Sequence, residues 1–324
     1  MKNLVPIIAG DPNSINSEII AKFWKKRSHF KNINVFIIGN YLLIKKQLKI
    51  IGLKINLKKI SEIENKSFEK ELLIYDVPLK FKNAFKVPVT KKSNYILNCF
   101  KIAIKLKKEK KIIGIVNCPI NKKETFGKNF FGVTEFLAKK EGVLGQEVML
   151  IYNKELSVSP VTTHIKLKKV PSSISKKKII KKLLTINNFF LKNLGIKPKI
   201  GVLGLNPHND ELRTDSEEKK FIVPAIKELK KKKVSVDGPL SPDTAFLNYK
   251  KDGFNVLVGM YHDQVLSPFK TIFKFKAINL TLGIPYIRVS PDHGVGKNIL
   301  RKNLANPESL INAIKFFNNK NAKT

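Results

Sequence analysis

The sequence is poor in several residue types, and each scarcity limits what the protein can be. Its 324 residues include two cysteines, five histidines and one tryptophan, and only four of its 62 cationic residues are arginine. Two cysteines without C-x-x-C spacing make no disulfide framework, so a reducing cytoplasm is the predicted compartment. No apolar run reaches the ~18–20 residues of a membrane-spanning helix. The first apolar run ends at Asp11-Pro12 without a cleavage site, and we interpret it as a buried strand rather than a signal peptide.

The common glycine-rich motifs are also missing. No predicted strand is followed by G-x-G-x-x-G, and the segment GVGK at 294–297 lacks the first glycine and the final Ser or Thr of a P-loop. The G-x-S-x-G turn of serine hydrolases is absent. A nicotinamide cofactor would therefore not be bound by the usual Rossmann turn.

The net charge of +37 makes a nucleic-acid partner one hypothesis. Against it, nearly all the cations are lysines spread along the chain, whereas base recognition favours the arginine fork. The aromatic residues of an RNA-binding sheet are also missing. We expect a solvated lysine-rich surface and no nucleic-acid partner. A basic nucleic-acid-binding protein on a decayed enzyme scaffold stays an alternative, and it predicts salt-sensitive binding without NAD reduction.

Short runs rich in Ile and Val alternate with amphipathic stretches. The runs predict buried strands at residues 4–9, 34–39, 72–76, 111–117, 148–152, 199–205, 256–260, 277–282 and 286–290. Residues 172–194 predict a helix that Gly195 ends, and residues 216–233 predict one that Pro224 kinks or delays. The alternation is typical of an α/β fold with a parallel or mixed sheet, whose ligands bind beyond the carboxyl ends of the strands.

Three of the five histidines, His164, His208 and His262, follow predicted strand ends. Neutral imidazole is the commonest side-chain ligand of a divalent metal, and three protein ligands leave a position open for water or substrate. Each histidine alone is as well explained by a hydrogen-bonded strand end. Three together favour a catalytic metal site. Asp243, taken alone, predicts a helix cap.

The stretch 261–296 carries further polar residues close to His262. Lys270, Asn279 and Arg288 could hold a phosphorylated, carboxylated substrate, because arginine grips an oxyanion with two donors and lysine acts as a point charge. A surface charge explains a lysine equally well in this chain. It explains Arg288 less well, since arginine is rare here and this one lies in an apolar strand.

Eight motifs together resemble the 4-hydroxythreonine-4-phosphate dehydrogenase family of vitamin B6 biosynthesis. They are PINK at 119–122, TEFLA at 134–138, TTH at 162–164, LNPH at 205–208, GPLSPDT at 238–244, MYHDQ at 260–264, NLTLGIPYIR at 279–288 and DHG at 292–294. They occur in the family's chain order, and the resemblance runs from Gly10-Asp11-Pro12 to about residue 315.

The resemblance implies an isocitrate/isopropylmalate dehydrogenase-like α/β/α fold with two domains around a central cleft. Residues 1–118 plus 255–324 would form the first domain, and residues 119–254 the second, which carries dimer contacts. The enzyme would be a homodimer with its active site at the subunit interface.

The resemblance also implies a set of site residues. His164, His208 and His262 match the family's metal ligands, with His262 supplied by the other subunit. The matching substrate contacts are Thr134, Lys270, Asn279 and Arg288. The loop Asp292-His293-Gly294 resembles the stretch that holds the adenosine end of NAD or NADP. Lys270 and Asp243 are the candidates for the general base.

The implied reaction is the NAD(P)-linked oxidation of 4-phosphooxy-L-threonine to 2-amino-3-oxo-4-(phosphooxy)butanoate. That β-keto acid loses CO2 to give 3-amino-2-oxopropyl phosphate. One divalent cation, Zn2+, Mg2+ or Co2+, would act as a Lewis acid on the substrate hydroxyl.

Two departures from the family pattern bear on the substrate. Val133 stands where the family has a histidine that contacts substrate, and valine cannot donate a hydrogen bond. The first loop and residues 209–215 have lost glycines that the family keeps. These features favour an alternative, a related dehydrogenase of another phosphorylated hydroxy acid such as a four-carbon sugar-acid phosphate.

Overall fold

The computed structural model describes residues 3–30, 32–63, 70–127, 130 and 132–318. These form two compact units. Unit 1 runs to Val133 and resumes at Tyr286, and unit 2 is Thr134–Pro285. Both divisions fall later in the chain than the predicted 118/119 and 254/255. Residues after Asn117 stay with unit 1 because Asp11 hydrogen-bonds to the backbone of Pro119 and Asn121.

Twelve strands are present among the described residues. They are β1 Leu4–Ile8, β2 Asn34–Gly39, β3 Leu57–Ile60, β4 Leu72–Asp76, β5 Gly114–Asn117, β6 Val148–Tyr152, β7 Ser157–Pro160, β8 Ile200–Leu203, β9 Val236–Leu240, β10 Val256–Gly259, β11 Ile278–Leu282 and β12 Ile287–Pro291. All nine predicted strands are confirmed, with ends that shift by up to three residues. The three that were missed, β3, β7 and β9, are short and carry lysine, serine, glycine or proline where a buried strand usually has Ile or Val.

The helices lie between and after the strands. They are α1 Asn16–Lys25, α2 Tyr41–Ile51, α3 Val89–Lys108, α4 Lys122–Phe126, α5 Val133–Lys140, α6 Val170–Ser173, α7 Lys176–Phe189, α8 Val223–Lys231, α9 Pro242–Asn248, α10 His262–Phe273 and α11 Glu308–Asn318. In the described part of the chain no helix is both long and apolar enough to cross a membrane.

Each unit has six strands. In unit 1 the order is β3-β4-β2-β1-β5-β12, and the observed pairings are all parallel. In unit 2 the order is β11-β6-β7-β10-β8-β9, with β6 antiparallel to both of its neighbours, β11 and β7, and with β7, β10, β8 and β9 parallel. The central strands β1, β5, β8 and β10 are buried at every residue. They read as unbroken apolar runs because helices cover both faces of a parallel sheet.

Local signals explain several helix ends. The Asn40 side chain accepts a hydrogen bond from Leu43 N at the start of α2, and Ser175 accepts one from Lys178 N at the start of α7. The helix predicted at 172–194 is interrupted before Ser175 and closes in a π turn at Phe190–Leu194. Gly195 ends it with a φ of 68°, as predicted. A π-helical segment at Glu218–Ile222 runs directly into α8, and Pro224 lies in the first turn of α8. The helix therefore begins close to the predicted residue 216, and its hydrogen-bond pattern changes next to the proline.

Candidate metal and substrate site

The three histidine motifs follow neighbouring strands of unit 2. Strand β10 lies between β7 and β8, and all three are parallel, so their carboxyl ends meet at one edge of the sheet. His164 follows β7, His208 follows β8, and His262 is the first residue of α10 after β10. The prediction that the motifs occur at strand ends is therefore confirmed, and topology brings the three strand ends together.

Side-chain hydrogen bonds tie these strand ends to one another. The Thr162 hydroxyl donates to Met260 O at 2.7 Å. The Gln264 amide accepts from Met260 N at 2.7 Å and donates to Gly204 O at 2.7 Å, which joins the end of β10 to the end of β8. The three turns are thus fixed relative to each other before any ligand binds.

His164 and His262 are neighbours within one chain. Their ring centroids are 5.9 Å apart, with 40° between the ring planes. Two imidazoles that share one metal at about 2.0–2.1 Å per bond have centroids about 4.5–5.5 Å apart. A small side-chain movement would bring the pair to that separation.

Each of the two rings has a carboxylate at its Nδ1 atom. Asp263 Oδ1 lies 2.6 Å from His262 Nδ1, and Glu135 Oε1 lies 3.6 Å from His164 Nδ1. A carboxylate at one ring nitrogen orients the imidazole and leaves the other nitrogen for a metal, which is the usual arrangement around metal-binding histidines. The donor set of this pair therefore fits a divalent cation.

His208 occupies a different environment. It begins a run of five residues, His208–Leu212, that all have left-handed backbone, with φ between 46° and 58°. The described residues contain no group of three His, Cys, Asp or Glu side chains that could hold a metal ion. The structure thus brings two of the three predicted ligands together and leaves the third apart from them.

A buried carboxylate holds the turn that carries His208. Glu218 is fully buried, and its Oε1 accepts hydrogen bonds from Leu205 N at 2.7 Å and Asn206 N at 2.8 Å. Its Oε2 accepts another from Asn206 Nδ2 at 3.1 Å, and Glu217 Oε2 accepts from the same amide group at 3.0 Å. Charge-assisted bonds of this kind fix the start of the turn.

Asp243, one of the two predicted bases, lies in the first turn of α9 and is exposed. A hydrogen bond from the Ser241 side chain lowers its pKa, and backbone amides and the nearby charge of His208 act in the same direction. A carboxylate with a lowered pKa is a weaker base.

Two of the predicted substrate contacts are associated with β11: Asn279 lies on this strand, and Thr134 contacts it from α5. The Thr134 and Thr281 hydroxyls are 3.0 Å apart, and Asn279 lies two residues before Thr281, on the same face of the strand. The Asn279 Oδ1 atom is buried and has no hydrogen-bond partner in the described part of the chain. A buried amide oxygen without a donor fits a position where a ligand donor binds.

Lys270, the other predicted base, is half-buried in α10. Eight residues separate it from His262, which places it about 12 Å farther along the helix axis. It therefore lies on the helix that begins with a candidate metal ligand.

A half-buried lysine of α7 was not found from the sequence. Burial lowers the pKa of Lys182 to about 8, and the charge of Lys178 adds to this effect, while Glu147 and Glu135 oppose it. Lys182 Nζ also donates to Glu147 O at 3.5 Å. No sequence signal separates this residue from the chain's other lysines.

The remaining predicted residues lie in unit 1. Arg288 is buried in β12, and its Nε donates to Asn117 Oδ1 at 2.7 Å. Asp292 N donates to the Ser309 hydroxyl at 2.8 Å, and His293 Nδ1 lies 2.9 Å from Gly294 O. Apart from the two chain neighbours, no atom of the described residues lies within 4 Å of the position that a Cβ at Gly294 would occupy, so there is open space beside it.

The residues that orient or position the predicted site residues were not identified from the sequence. Glu135 and Asp263 lie within two of the quoted motifs, but only Asp263 directly follows a histidine, so Asp263 alone had an available signal. Gln264 and Glu218 had no such signal, because their role depends on which strands are neighbours. Val133, at the start of α5, is buried and apolar.

A family model and several named proteins match nearly the whole of this chain. The family model of the pyridoxal phosphate biosynthetic protein PdxA matches residues 31–317. A 4-hydroxythreonine-4-phosphate dehydrogenase from Sulfurihydrogenibium sp. (strain YO3AOP1) is 41% identical over 316 residues, 96% of each chain. A protein from Oceanobacillus iheyensis, named provisionally as a D-threonate 4-phosphate dehydrogenase, is 31% identical and aligns over 97% of this chain and 96% of its own.

Solved structures match over nearly the whole chain. A 4-hydroxythreonine-4-phosphate dehydrogenase from Klebsiella pneumoniae superimposes with a TM-score of 0.85 at 28% identity, over 97% of this chain and 98% of that one. An isocitrate dehydrogenase from Methylococcus capsulatus superimposes with a TM-score of 0.50 at 12% identity, over 97% and 84%. The second likeness concerns the fold alone, and it confirms the predicted fold class.

Proposed function

The chain belongs to the PdxA family of pyridoxal phosphate biosynthetic proteins, and from that premise we propose that it oxidises 4-phosphooxy-L-threonine with NAD or NADP. The observation that carries the proposal is the His164–His262 pair, with a carboxylate at each Nδ1 atom, at the carboxyl edge of unit 2. We propose that the enzyme acts in the cytoplasm.

The metal would be held by His164, His208 and His262 in a homodimer. The sequence resemblance assigned His262 to the partner subunit. Because the structure has His262 beside His164 in the same chain, we assign His208 to the second subunit instead. Of the three candidate cations, Zn2+ and Co2+ suit imidazole ligands, whereas Mg2+ prefers oxygen ligands.

A bound cation would supply Lewis-acid chemistry and acidify the substrate hydroxyl. Asp263 would orient the His262 imidazole through their 2.6 Å contact, and Glu135, 3.6 Å from His164 Nδ1, would do the same for the second ring. Thr134 and Asn279 would orient the substrate along β11, and Arg288 would contact its phosphate. Lys270 is the proposed proton acceptor, since the lowered pKa of Asp243 makes it the weaker candidate.

The reaction balances with one hydride and one proton. The substrate hydroxyl loses its proton, and its carbon gives a hydride to NAD(P)+, which yields 2-amino-3-oxo-4-(phosphooxy)butanoate. Loss of CO2 then gives 3-amino-2-oxopropyl phosphate. The loop Asp292-His293-Gly294 is proposed to hold the adenosine end of the cofactor, in line with the open space at Gly294.

A mixing experiment tests the shared metal site. His164→Ala and His208→Ala variants should each be inactive, but a reassociated mixture should regain about a quarter of wild-type activity, because half of the dimers are mixed and each has one intact site. A mixture of His164→Ala with His262→Ala should regain none. If the second mixture regains activity and the first does not, His262 rather than His208 is the ligand that the partner subunit supplies.

A second substrate is supported by two observations. Val133 replaces the family's histidine, and one relative is named for D-threonate 4-phosphate. The two substrates should be compared with wild-type protein and with Val133→His. Preference of the wild type for 4-phosphooxy-L-threonine supports the main proposal. Preference for D-threonate 4-phosphate that Val133→His reverses would establish the alternative.

A further inference from the structure

Lys92, on α3 of unit 1, is the one fully buried lysine among the described residues. Its side chain is 1% exposed and forms ion pairs with two carboxylates. Lys92 Nζ lies 3.0 Å from Asp11 Oδ2 and 3.2 Å from Asp11 Oδ1, and it is in direct contact with Glu124 Oε2. In a chain where lysine is otherwise a surface residue, this placement calls for a specific reason.

The two carboxylates belong to loops at the carboxyl edge of unit 1. Asp11 follows β1 and is 1% exposed. Its Oδ1 accepts from Asn13 N at 2.9 Å, within its own loop, and its Oδ2 accepts from Asn121 N at 3.2 Å, in the loop after β5. Glu124 lies in α4, directly after that second loop. Lys92 therefore joins the loops that follow β1 and β5.

The network continues to the loop after β12. Lys297 Nζ lies 3.4 Å from Glu124 Oε1. Ile15 N donates to Val295 O at 3.2 Å. Gly296 has a φ of 63°, and a Cβ there would lie 2.6 Å from the Ile15 side chain. Residues 295–297, which directly follow Asp292-His293-Gly294, are thus packed, hydrogen-bonded and ion-paired against the two segments that Lys92 joins.

A buried ion pair contributes little net stability, because desolvation of the charges offsets their attraction, and its best attested use is to select one arrangement of the groups it joins. Here those groups are three loops. We propose that Lys92 is a positioning residue for nicotinamide-cofactor binding, which acts through Asp11 and Glu124 on the loop that follows β12. This inference rests on the proposed function, which gives that loop to the adenosine end of NAD(P).

The test uses the full-length, metal-loaded protein and the variant Lys92→Met, which keeps the length of the side chain and removes its charge. Titration with NAD+ and NADP+ should give a dissociation constant raised at least about tenfold, in line with the cost of a small misplacement of binding groups. The KM for the cofactor should rise with it, while kcat at saturation and Co2+ affinity stay within about twofold of wild type. Lys92→Arg should restore part of the affinity.

Lys22→Met is the matched control. Lys22 Nζ also bonds a fully buried carboxylate, Glu18, and the backbone oxygens of Asn303 and Ala305, in the later part of the connection after β12, but it forms no bond to residues 292–297 or to the loops after β1 and β5. It should lower the melting temperature without changing cofactor affinity. Glu124→Gln is the second variant, should Lys92→Met fail to fold, and it should also weaken cofactor binding.

Folded Lys92→Met and Glu124→Gln proteins that bind NAD(P)+ as the wild type does would overturn the inference alone. The same follows if Lys22→Met weakens cofactor binding as much as Lys92→Met does. A wild-type protein that binds neither NAD+ nor NADP+ would instead overturn the proposed function, and the inference with it.

Discussion

Replacement of Glu218 by glutamine should loosen the turn that carries His208. The side chain is fully buried, and its carboxylate accepts three hydrogen bonds, from Leu205 N, Asn206 N and the Asn206 amide group. Glutamine keeps the oxygen that faces the two backbone donors but places an NH2 group against the Asn206 amide. Glu218→Gln therefore loses one charge-assisted bond outright and weakens two.

The expected cost follows from those bonds. A hydrogen bond to a charged group contributes about 1.5–3 kcal/mol, and its neutral counterpart about half as much. A neutral amide also costs less to desolvate than a carboxylate, which offsets part of the lost stabilisation. We expect the local opening free energy of the turn to fall by about 2–3 kcal/mol, which corresponds to hydrogen exchange about 30- to 140-fold faster at the Leu205 and Asn206 amides.

Hydrogen exchange with peptide-level mass spectrometry measures this change directly. Glu217→Gln is the matched control, because Glu217 bonds only the Asn206 amide group among these donors and a glutamine oxygen can keep that bond. Glu217→Gln should change the local opening free energy of the turn by less than about 0.5 kcal/mol. Affinity for Co2+ should fall about tenfold in Glu218→Gln, since His208 loses its support. Equal exchange in the two variants, or a change below about 1 kcal/mol in Glu218→Gln, would refute the reasoning.

Three further predictions use other parts of the structure. Lys233, with a φ of 60° after α8, should stabilise the protein by about 1 kcal/mol when changed to glycine, whereas Lys227→Gly, at an exposed position in the middle of the helix, should destabilise it by about 1 kcal/mol, as urea denaturation would show. The hydrogen bond from Lys92 lowers the pKa of Glu124, so this interaction stabilises above the usual carboxyl range and is lost as pH falls; the difference in melting temperature between wild type and Lys92→Met should narrow toward acid pH. Glu135→Gln should weaken Co2+ binding about 10- to 100-fold, and unchanged binding would exclude its role at the His164 ring.

Much of the fold followed from the hydrophobic pattern. Strands buried on both faces, such as β1 and β10, appear as continuous Ile and Val runs. The edge strands β3 and β9 were not predicted because β3 has two adjacent lysines between Leu57 and Ile60, and β9 contains Gly238 and Pro239. Their places depend on pairing with β4 and β8, which is a tertiary effect.

The site was only partly predictable for the same reason. The histidines stood out because they are scarce and follow strands, but the sequence could not show that His164 and His262 are neighbours, since this depends on β10 lying beside β7. Lys92 and Lys182 were hidden by composition, because a functional lysine looks like every other lysine in this chain. Their burial separates them, and burial is a property of the folded protein.

Metal-dependent NAD(P)H formation tests the central claim most directly. Purified protein would be given 4-phosphooxy-L-threonine and NAD+ or NADP+, with Zn2+, Mg2+ or Co2+ and then with a chelator, and absorbance at about 340 nm would be followed. We expect turnover that the chelator abolishes, that added metal restores, and that His262→Ala lacks. Turnover that persists in the chelator and in His262→Ala would contradict the metal site. Metal binding without turnover on this substrate would contradict the proposed substrate.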